Sequence, residues 1–213
     1  MDRILDYIIE LAWTLPAVLL ALTFHEYAHG FAAYKLGDST ARDLGRLTIN
    51  PLKHIDPLGL IVMAILKFGW AKPVPVDPRN FKHPKRDLAI VSIAGPLMNV
   101  FVAFIGILLY YVILRFLPVN RFLNALSQFF AITAMLSAGF AVFNLIPLPP
   151  LDGSRLLMLI LPRKANFFLV KNQRYINLLL ILLLYTGILS KPLAIARDFV
   201  ISTLETAVRW IIL

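Results

Sequence analysis

Long apolar stretches alternate with polar, basic loops along this chain. The apolar stretches occupy residues 8–36, 88–114, 125–146 and 175–189. Several of them approach the roughly 20 residues that a helix needs to cross the hydrocarbon core of a bilayer. The pattern therefore predicts an all-α integral membrane protein, a polytopic helical bundle with about four spanning helices.

Three further stretches carry apolar residues without predicting a full span. Residues 57–70 are too short to cross comfortably and are interrupted by Gly59 and Lys67, so they predict a re-entrant or interfacial element. Residues 71–78 alternate Pro and Val, which predicts an extended, β-like segment, because proline is confined to edge or unpaired strands. Residues 193–213 mix charged and apolar positions and predict an amphipathic helix on the membrane surface.

The chain is expected to form one membrane-embedded domain. Its core covers residues 8–160, its C-terminal helices cover residues 170–213, and residues 1–213 contain no internal repeat. The first helix is expected to be retained rather than cleaved, because acidic residues crowd its start and no A-x-A-like site follows its apolar stretch.

Composition supports the membrane assignment and limits the chemistry. Of the 213 residues, 59% are hydrophobic and 15% are charged, and the mean hydropathy is +0.77. Ordinary soluble domains are about 45–50% apolar and about a quarter charged. The sequence has no cysteine, which excludes disulfides, iron–sulfur clusters and thiolate zinc sites. A metal site here must use His, Asp or Glu.

The net charge of +9 reflects membrane topology rather than nucleic-acid binding. Ten of the 21 Lys and Arg residues lie in residues 35–86, and five lie in residues 155–174. Basic residues concentrate in the cytoplasmic loops of membrane proteins. We therefore expect a multi-pass cell-membrane protein with both basic loops in the cytoplasm and both termini extracytoplasmic.

The most specific chemical signal is an H-E-x-x-H motif in the first apolar stretch. His25 and His29 are four residues apart, so on a helix both imidazoles can reach one ion. Glu26 follows the first ligand and can act as the general base of a zinc hydrolase. Ionisable groups inside a membrane span cost about 2.5–3.5 kcal/mol each and are usually functional. The alternative is a polar packing cluster between helices.

The depth of this motif suits a reaction that consumes water. His25 lies 14 residues after Leu11, or about 21 Å along a helix. In a hydrocarbon core of about 30 Å, the site would lie nearer the cytoplasmic face, where water can reach it.

A third ligand must come from elsewhere, because catalytic zinc usually has three protein ligands. His54 and His83 lie in basic loops without a partner at ligand spacing and are expected to be solvated. Asp152 is the better candidate, since it follows an apolar run beside prolines and Gly153. An N-cap on the next helix is the alternative role for Asp152.

Two motifs together resemble those of the site-2 protease family of intramembrane metalloproteases. The chain carries H-E-Y-A-H at residues 25–29 and N-L-I-P-L-P-P-L-D-G at residues 144–153, and both match the family patterns in full. G-P-L-M-N at residues 95–99 is similar to the family's small-residue motif. The resemblance covers about residues 15–160. Because the chain lacks a PDZ-like insertion, it is similar to the compact branch of the family.

The resemblance implies roles for individual residues. His25, His29 and Asp152 would bind one Zn²⁺ per chain, with Glu26 as the base. Catalysis would also use Asn144, whose amide would hydrogen-bond the substrate carbonyl or its oxyanion. Three further residues would contact the substrate: Asn99, which could instead bond across helices, and Val74 and Val76 of the extended segment.

These observations lead to an intramembrane zinc metalloprotease that cuts peptide bonds in or near transmembrane segments, as in regulated intramembrane proteolysis. Its partners would be membrane-protein substrates and the lipid bilayer, not nucleic acid. The alternative is a catalytically silent scaffold or transporter that retains the fold. An iron-dependent desaturase would need about eight histidines, and this chain has four. Neither the natural substrate nor the oligomeric state follows from the sequence.

Overall fold

The computed structural model describes residues 2–66, 69–118 and 120–212, with side chains described from residue 11 onward except at 63–66. All regular structure in these ranges is helical: α1 Asp2–Lys35, α2 Thr40–Asp43, α3 Pro57–Leu66, α4 Pro84–Phe116, α5 Arg121–Asn144, α6 Asp152–Ile160, α7 Arg163–Lys171, α8 Gln173–Tyr185 and α9 Ser190–Ile212. Short 3₁₀ turns lie at Pro51–Lys53 and Pro78–Asn80. The all-α class is therefore confirmed.

Helix α4 is the centre of the bundle and packs against α1, α5, α6 and α9. The interface of α4 and α5 is built from small residues such as Ala103, Ala134 and Ala138. At Gly106, a Cβ atom would lie 2.9 Å from the Phe130 carbonyl oxygen. Small side chains let helix backbones approach closely, which is how helices associate in membranes.

Two helices in the described part of the chain, α4 and α5, are long and apolar enough to cross a membrane, and α7 with α8 would make a third if they count as one span. The expected count of about four spans is not confirmed. Instead of one span at residues 175–189, the structure has α7 and α8 bent by 70°. The 13 residues of α8 extend only about 20 Å, less than a hydrocarbon core.

The predicted C-terminal helix is present as α9, and it packs lengthwise on the bundle. Val208 lies in the core cluster of α4 and α5, and the guanidinium of Arg209 donates to the Tyr111 hydroxyl at 3.1 Å. The exposed face of α9 is mixed, because Phe199 and Trp210 are exposed together with polar residues such as Asp198 and Thr206. The location of this amphipathic helix on the membrane surface stays a prediction.

The short apolar stretch at residues 57–70 doubles back on itself. Helix α3 occupies most of it, while Lys67 lies outside the described residues. After the helix, the indole N–H of Trp70 donates to Asp56 at 3.1 Å, and a Cβ at Gly59 would lie 2.3 Å from the Trp70 carbonyl oxygen. The two ends of the stretch therefore lie side by side.

The β-like segment predicted at residues 71–78 is not confirmed as a strand. Its only described β-type pairing is one antiparallel bridge between Ile55 and Ala71. Residues 72–77, which we call the proline strap, follow this bridge without regular structure and end at the Pro78–Asn80 turn. Two proline residues remove the N–H groups that a central strand would need.

Candidate metal centre and active site

Helix α1 carries the H-E-x-x-H motif in its buried C-terminal half. The Nε2 atoms of His25 and His29 lie 3.0 Å apart, and only 6% and 11% of the two side chains are exposed. The i, i+4 spacing places both imidazoles on the same face of the helix, as the sequence predicts.

Asp152, the first residue of α6, completes this cluster. Its Oδ2 atom lies 3.2 Å from the Nε2 atom of each histidine. This oxygen is buried and accepts no hydrogen bond from the described residues. His25, His29 and Asp152 also form the one group of metal-binding side chains found in the described chain. The structure thus brings together the three predicted ligands from two distant elements.

The donor set fits a zinc ion. Two imidazole nitrogens and one carboxylate oxygen are ordinary zinc ligands, and three protein ligands leave a position open for reaction. Tetrahedral ligands at about 2.0–2.1 Å from an ion lie about 3.3 Å from one another, close to the distances of 3.0–3.2 Å between these atoms. An orphaned buried carboxylate oxygen also calls for a cation.

The outer nitrogen of each histidine contacts a group on α4. Nδ1 of His29 lies 2.7 Å from the Val91 carbonyl oxygen, so it carries the proton and donates it. Nδ1 of His25 lies 3.1 Å from Nδ2 of Asn99. The Oδ1 atom of Asn99 is buried and has no hydrogen-bond partner among the described residues. If Nε2 holds a metal, Nδ1 must be the donor, and the Asn99 oxygen is then its acceptor. Such contacts orient metal-binding histidines.

Glycines allow the backbone to approach the cluster. At Gly95 on α4, a Cβ atom would lie 2.5 Å from Nε2 of His29 and 2.7 Å from Cε1 of His25. At Gly153, next to the third ligand, a Cβ would lie 2.2 Å from the Leu145 carbonyl oxygen at the end of α5. Both positions therefore require the absence of a side chain.

Glu26 lies beside the cluster and is held from outside its own helix. Its Oε2 atom accepts a hydrogen bond of 2.7 Å from the backbone N–H of Val74 in the proline strap. The Val74 side chain is buried against Gly30, where a Cβ would lie 3.1 Å from the valine Cγ1. The strap therefore crosses directly over the predicted base.

The other predicted site residues are engaged within the protein. The Asn144 amide donates to the carbonyl oxygen of Phe140 at 3.0 Å. Asn99 is fully buried beside His25 rather than facing open space. Val74 and Val76 both direct their side chains into the protein, Val76 packing on the cluster of Ala33, Phe81 and Val91. Their side chains are therefore not available to a substrate, and the backbone N–H of Val74 is already bonded to Glu26.

The two loop histidines differ from each other. His83 is exposed at the start of α4, as expected. His54 was expected to be solvated, and this is wrong, because its exposed fraction is 2%. Its Nε2 donates to the Thr48 carbonyl oxygen at 2.8 Å. The histidine is thus part of the packing of the loop that precedes the proline strap.

Both ends of the proline strap are anchored by polar contacts. Near its start, Arg46 donates to the carbonyl oxygens of Lys72 and Pro73 at 2.9 and 3.2 Å. At its end, the Asp77 N–H donates to the Asp38 carboxylate at 2.8 Å. Asp38 is fully buried and also accepts bonds from Thr40 and from the Asn80 amide.

Sequence reasoning missed several of these contacts. A backbone group, such as the Val91 carbonyl or the Val74 N–H, has no signature in the sequence. Asp38 carried a weak signal, because an acidic residue just after a helix commonly bonds to nearby backbone. Without the fold, however, it indicated only a loop.

The chain is similar to known proteins over most of its length. The model of Peptidase family M50 matches residues 117–186. The protein named "Putative zinc metalloprotease YwhC" from Bacillus subtilis (strain 168) is 41% identical over 178 residues, which cover 82% of this chain and 81% of that protein. "Putative zinc metalloprotease Rip2" from Mycolicibacterium smegmatis is 31% identical over 196 residues, covering 89% and 73%. No solved structure matches the chain.

Proposed function

The chain belongs to Peptidase family M50, the site-2 protease family, and we propose that it hydrolyses peptide bonds in or near transmembrane segments of membrane proteins. The observation that carries this proposal is the convergence of His25, His29 and Asp152 within 4.8 Å of one another inside an apolar bundle. One zinc ion per chain is the cofactor.

The three ligands would bind the metal, and neighbouring groups on α4 would orient the two histidines. Zinc held there would supply Lewis acidity toward water and the scissile carbonyl. The Val91 carbonyl and the Asn99 amide orient the two imidazoles. We assign Asn99 to this orienting task rather than to substrate binding, because its side chain is fully buried.

Glu26 is the general base of the proposed reaction. It follows His25 directly and lies beside the predicted metal, so its carboxylate can take a proton from the attacking water. The same group then returns the proton to the leaving amine. Asn144 at the end of α5 stabilises the oxyanion once its amide exchanges the Phe140 carbonyl for the substrate.

The substrate must be unwound before its backbone can reach these groups. A helix hydrogen-bonds its own carbonyls, which shields the scissile bond from attack. The Val74 N–H is bonded to Glu26, so the edge on which an extended substrate segment can pair by β-augmentation consists of the Val74 carbonyl and the Val76 backbone. The substrates are therefore membrane proteins with a transmembrane segment that can locally unfold.

Four helices cross the cell membrane in this proposal: α1, α4, α5 and α9. Helix α9 has 23 residues, or about 34 Å, which is long enough to span. It exposes Phe199 and Trp210, which suit contact with acyl chains, beside polar residues such as Asp198, and it is less apolar than α4 and α5. It replaces residues 175–189 as the fourth span. The start of α9 lines a groove with Val142 and Leu145 at the end of α5, so α9 runs antiparallel to α5.

Orientation follows from the positive charges. The basic loops at residues 35–86 and 155–174 face the cytoplasm, both termini lie outside, and the metal lies nearer the cytoplasmic face. Because the chain has no cysteine, single cysteines report topology cleanly. A cysteine at Lys191 should react with an impermeant maleimide only from the cytoplasmic side, and one at Trp210 only from outside. Labelling of both from one side would mean that α9 lies on the surface.

The test of function is cleavage of a single-span model substrate by the purified protein in detergent. Wild type should cleave it, and Glu26→Gln should keep stoichiometric zinc but lose cleavage, because glutamine cannot accept the proton. Asp152→Ala should lose the zinc itself, measured by elemental analysis. Cleavage by Glu26→Gln at the wild-type rate would show that Glu26 is not the general base.

The silent scaffold remains distinguishable by the same measurements. A scaffold would hold no stoichiometric zinc, and chelation would not change its behaviour. The comparisons offer nothing that favours it, since the relatives above carry metalloprotease names.

A further inference from the structure

The proline strap is fixed at both ends independently of the catalytic residue beneath it. At its start, the Lys72 N–H donates to the His54 carbonyl oxygen at 2.9 Å, and Arg46 binds two strap carbonyls. At its end, Asp77 is bonded to the buried Asp38. The middle of the strap therefore holds its position over α1 with support from outside the metal centre.

The middle of the strap has one backbone donor, and it is committed to Glu26. Pro73 and Pro75 have no N–H group, so Val74 supplies the only donor of the Pro-Val-Pro sequence. That donor lies 2.7 Å from Oε2 of Glu26. The buried Val74 side chain, packed on Gly30, fixes the direction of the amide.

This hydrogen bond occupies one carboxylate oxygen and leaves the other available. A carboxylate has two oxygens with about four acceptor sites in all, so a donor at Oε2 does not prevent Oε1 from taking a proton. It does restrict rotation of the side chain. Hydrogen bonds to an ionised carboxylate are short and roughly twice as strong as neutral ones. Catalytic groups must be held within about 0.5 Å of their productive geometry.

We propose that the backbone N–H of Val74 is the positioning donor for the catalytic carboxylate of Glu26. The geometry of the general base is thus set jointly by α1 and by the proline strap. The inference rests on the proposed function of Glu26 as the base and adds the group that aims it. It also connects the strap, where an extended substrate would pair, to the proton-transfer step.

The direct test replaces the amide at position 74 by an ester, using 2-hydroxyisovaleric acid in place of valine in the full chain. This change removes the N–H and keeps the side chain. The expected result is a kcat lower by about 10- to 100-fold, the size of one hydrogen bond to a charged group. KM and zinc content should stay within about twofold of wild type, because binding and ligation do not use this bond.

A matched control tests whether an ester bond by itself lowers kcat, and a second variant removes the same N–H by mutation. The same amide-to-ester change at Lys82, an exposed loop residue, made with the 2-hydroxy analogue of lysine, should leave kcat unchanged. If the ester protein is not obtained, Val74→Pro removes the same N–H genetically; because its ring carbon also displaces the Glu26 carboxylate, it should lower kcat at least as much as the ester while zinc content stays at the wild-type level.

The outcomes separate this inference from the proposed function. Wild-type kcat in the ester protein, together with an inactive Glu26→Gln, overturns the positioning role alone. A rise in KM without a change in kcat assigns the amide to substrate binding, and loss of zinc assigns it to the metal centre; either result overturns the inference. If Glu26→Gln itself cleaves normally, the proposed function of the base has failed first.

Discussion

The metal centre and the proline strap lie against each other but are built in different ways. The candidate metal centre consists of side chains on helices, His25 and His29 on α1 and Asp152 on α6, brought together where glycine allows α4 to approach. The strap has no regular structure and is held by side chains that hydrogen-bond its backbone, such as Arg46, which donates to it, and Asp38, which accepts from it. Close packing positions the first region, and polar contacts position the second.

This difference teaches which changes each region tolerates. In a packed helical site, one added carbon atom has no space and must displace a ligand. In a segment tied by several hydrogen bonds, removing one anchor loosens the backbone while the others persist. We therefore expect substitutions in the first region to remove the metal, and substitutions in the second to leave the metal in place and change mobility.

The largest effect is expected at the closest helix contact. In Gly95→Ala, the new Cβ would lie 2.5 Å from Nε2 of His29, so the imidazoles or α4 must shift. Zinc tolerates only about ±0.2 Å in ligand distance. We expect loss of stoichiometric zinc, corresponding to an affinity at least about 100-fold lower, which exceeds the range seen for residues that merely orient ligands. Elemental analysis and metal-buffer titration of the purified protein measure it.

Gly139→Ala is the matched control, because it makes the same substitution in the neighbouring helix α5. There the nearest atom to the new Cβ, Cδ of Arg197, is 3.9 Å away. Both variants gain about 1 kcal/mol of helix propensity, so only the contact differs. Wild-type zinc affinity in Gly95→Ala would show that packing does not position the metal centre, and the contrast between the regions would fail.

The same contrast explains what the sequence could predict. His25, Glu26 and His29 are close in the chain, and helix periodicity alone places them together. Asp152 is 123 residues beyond His29; its sequence context made it a candidate, the resemblance implied its role as a ligand, and the fold places its carboxylate beside the two histidines. The family assignment was confirmed by the similarity to known metalloproteases, and the all-α class by the observed helices.

Other features could not be predicted because they depend on tertiary contacts. The Val91 carbonyl and the Val74 amide are backbone groups whose partners are 62 and 48 residues away in sequence. Residues 175–189 are apolar enough to suggest one span, but hydropathy does not encode the 70° bend between α7 and α8. His54 has an ordinary loop sequence around it, and its burial follows from the return of the chain at Ala71.

The smallest effect is expected at the far end of the strap. Asp38→Ala removes the charged acceptor of the Asp77 N–H and the Asn80 amide, and the loss of these partly buried hydrogen bonds should cost about 1–3 kcal/mol. The strap should loosen at this end while Arg46 still holds its start. We expect faster hydrogen exchange of the amides in residues 74–80, measured by mass spectrometry, with zinc content unchanged. Asp43→Ala, which removes an exposed carboxylate from the neighbouring helix α2, is the control and should leave strap exchange at the wild-type rate.

Acid should reproduce the effect of Asp38→Ala in the wild-type protein. Burial raises the pKa of Asp38, but hydrogen bonds from Thr40, Asn80 and the Asp77 backbone outweigh it and leave the pKa below its ordinary value. A carboxyl group whose pKa is lowered by folding stabilises the structure above its unfolded pKa of about 3.9, and this stabilisation is lost as the pH falls through the folded value. Strap exchange, corrected for the intrinsic pH dependence of amide exchange, should therefore differ most between wild type and Asp38→Ala at neutral pH and converge below about pH 4. If Asp38→Ala instead released zinc at neutral pH, the strap and the metal centre would be one cooperative unit. The expectation that substitutions in the strap leave the metal in place would then be wrong.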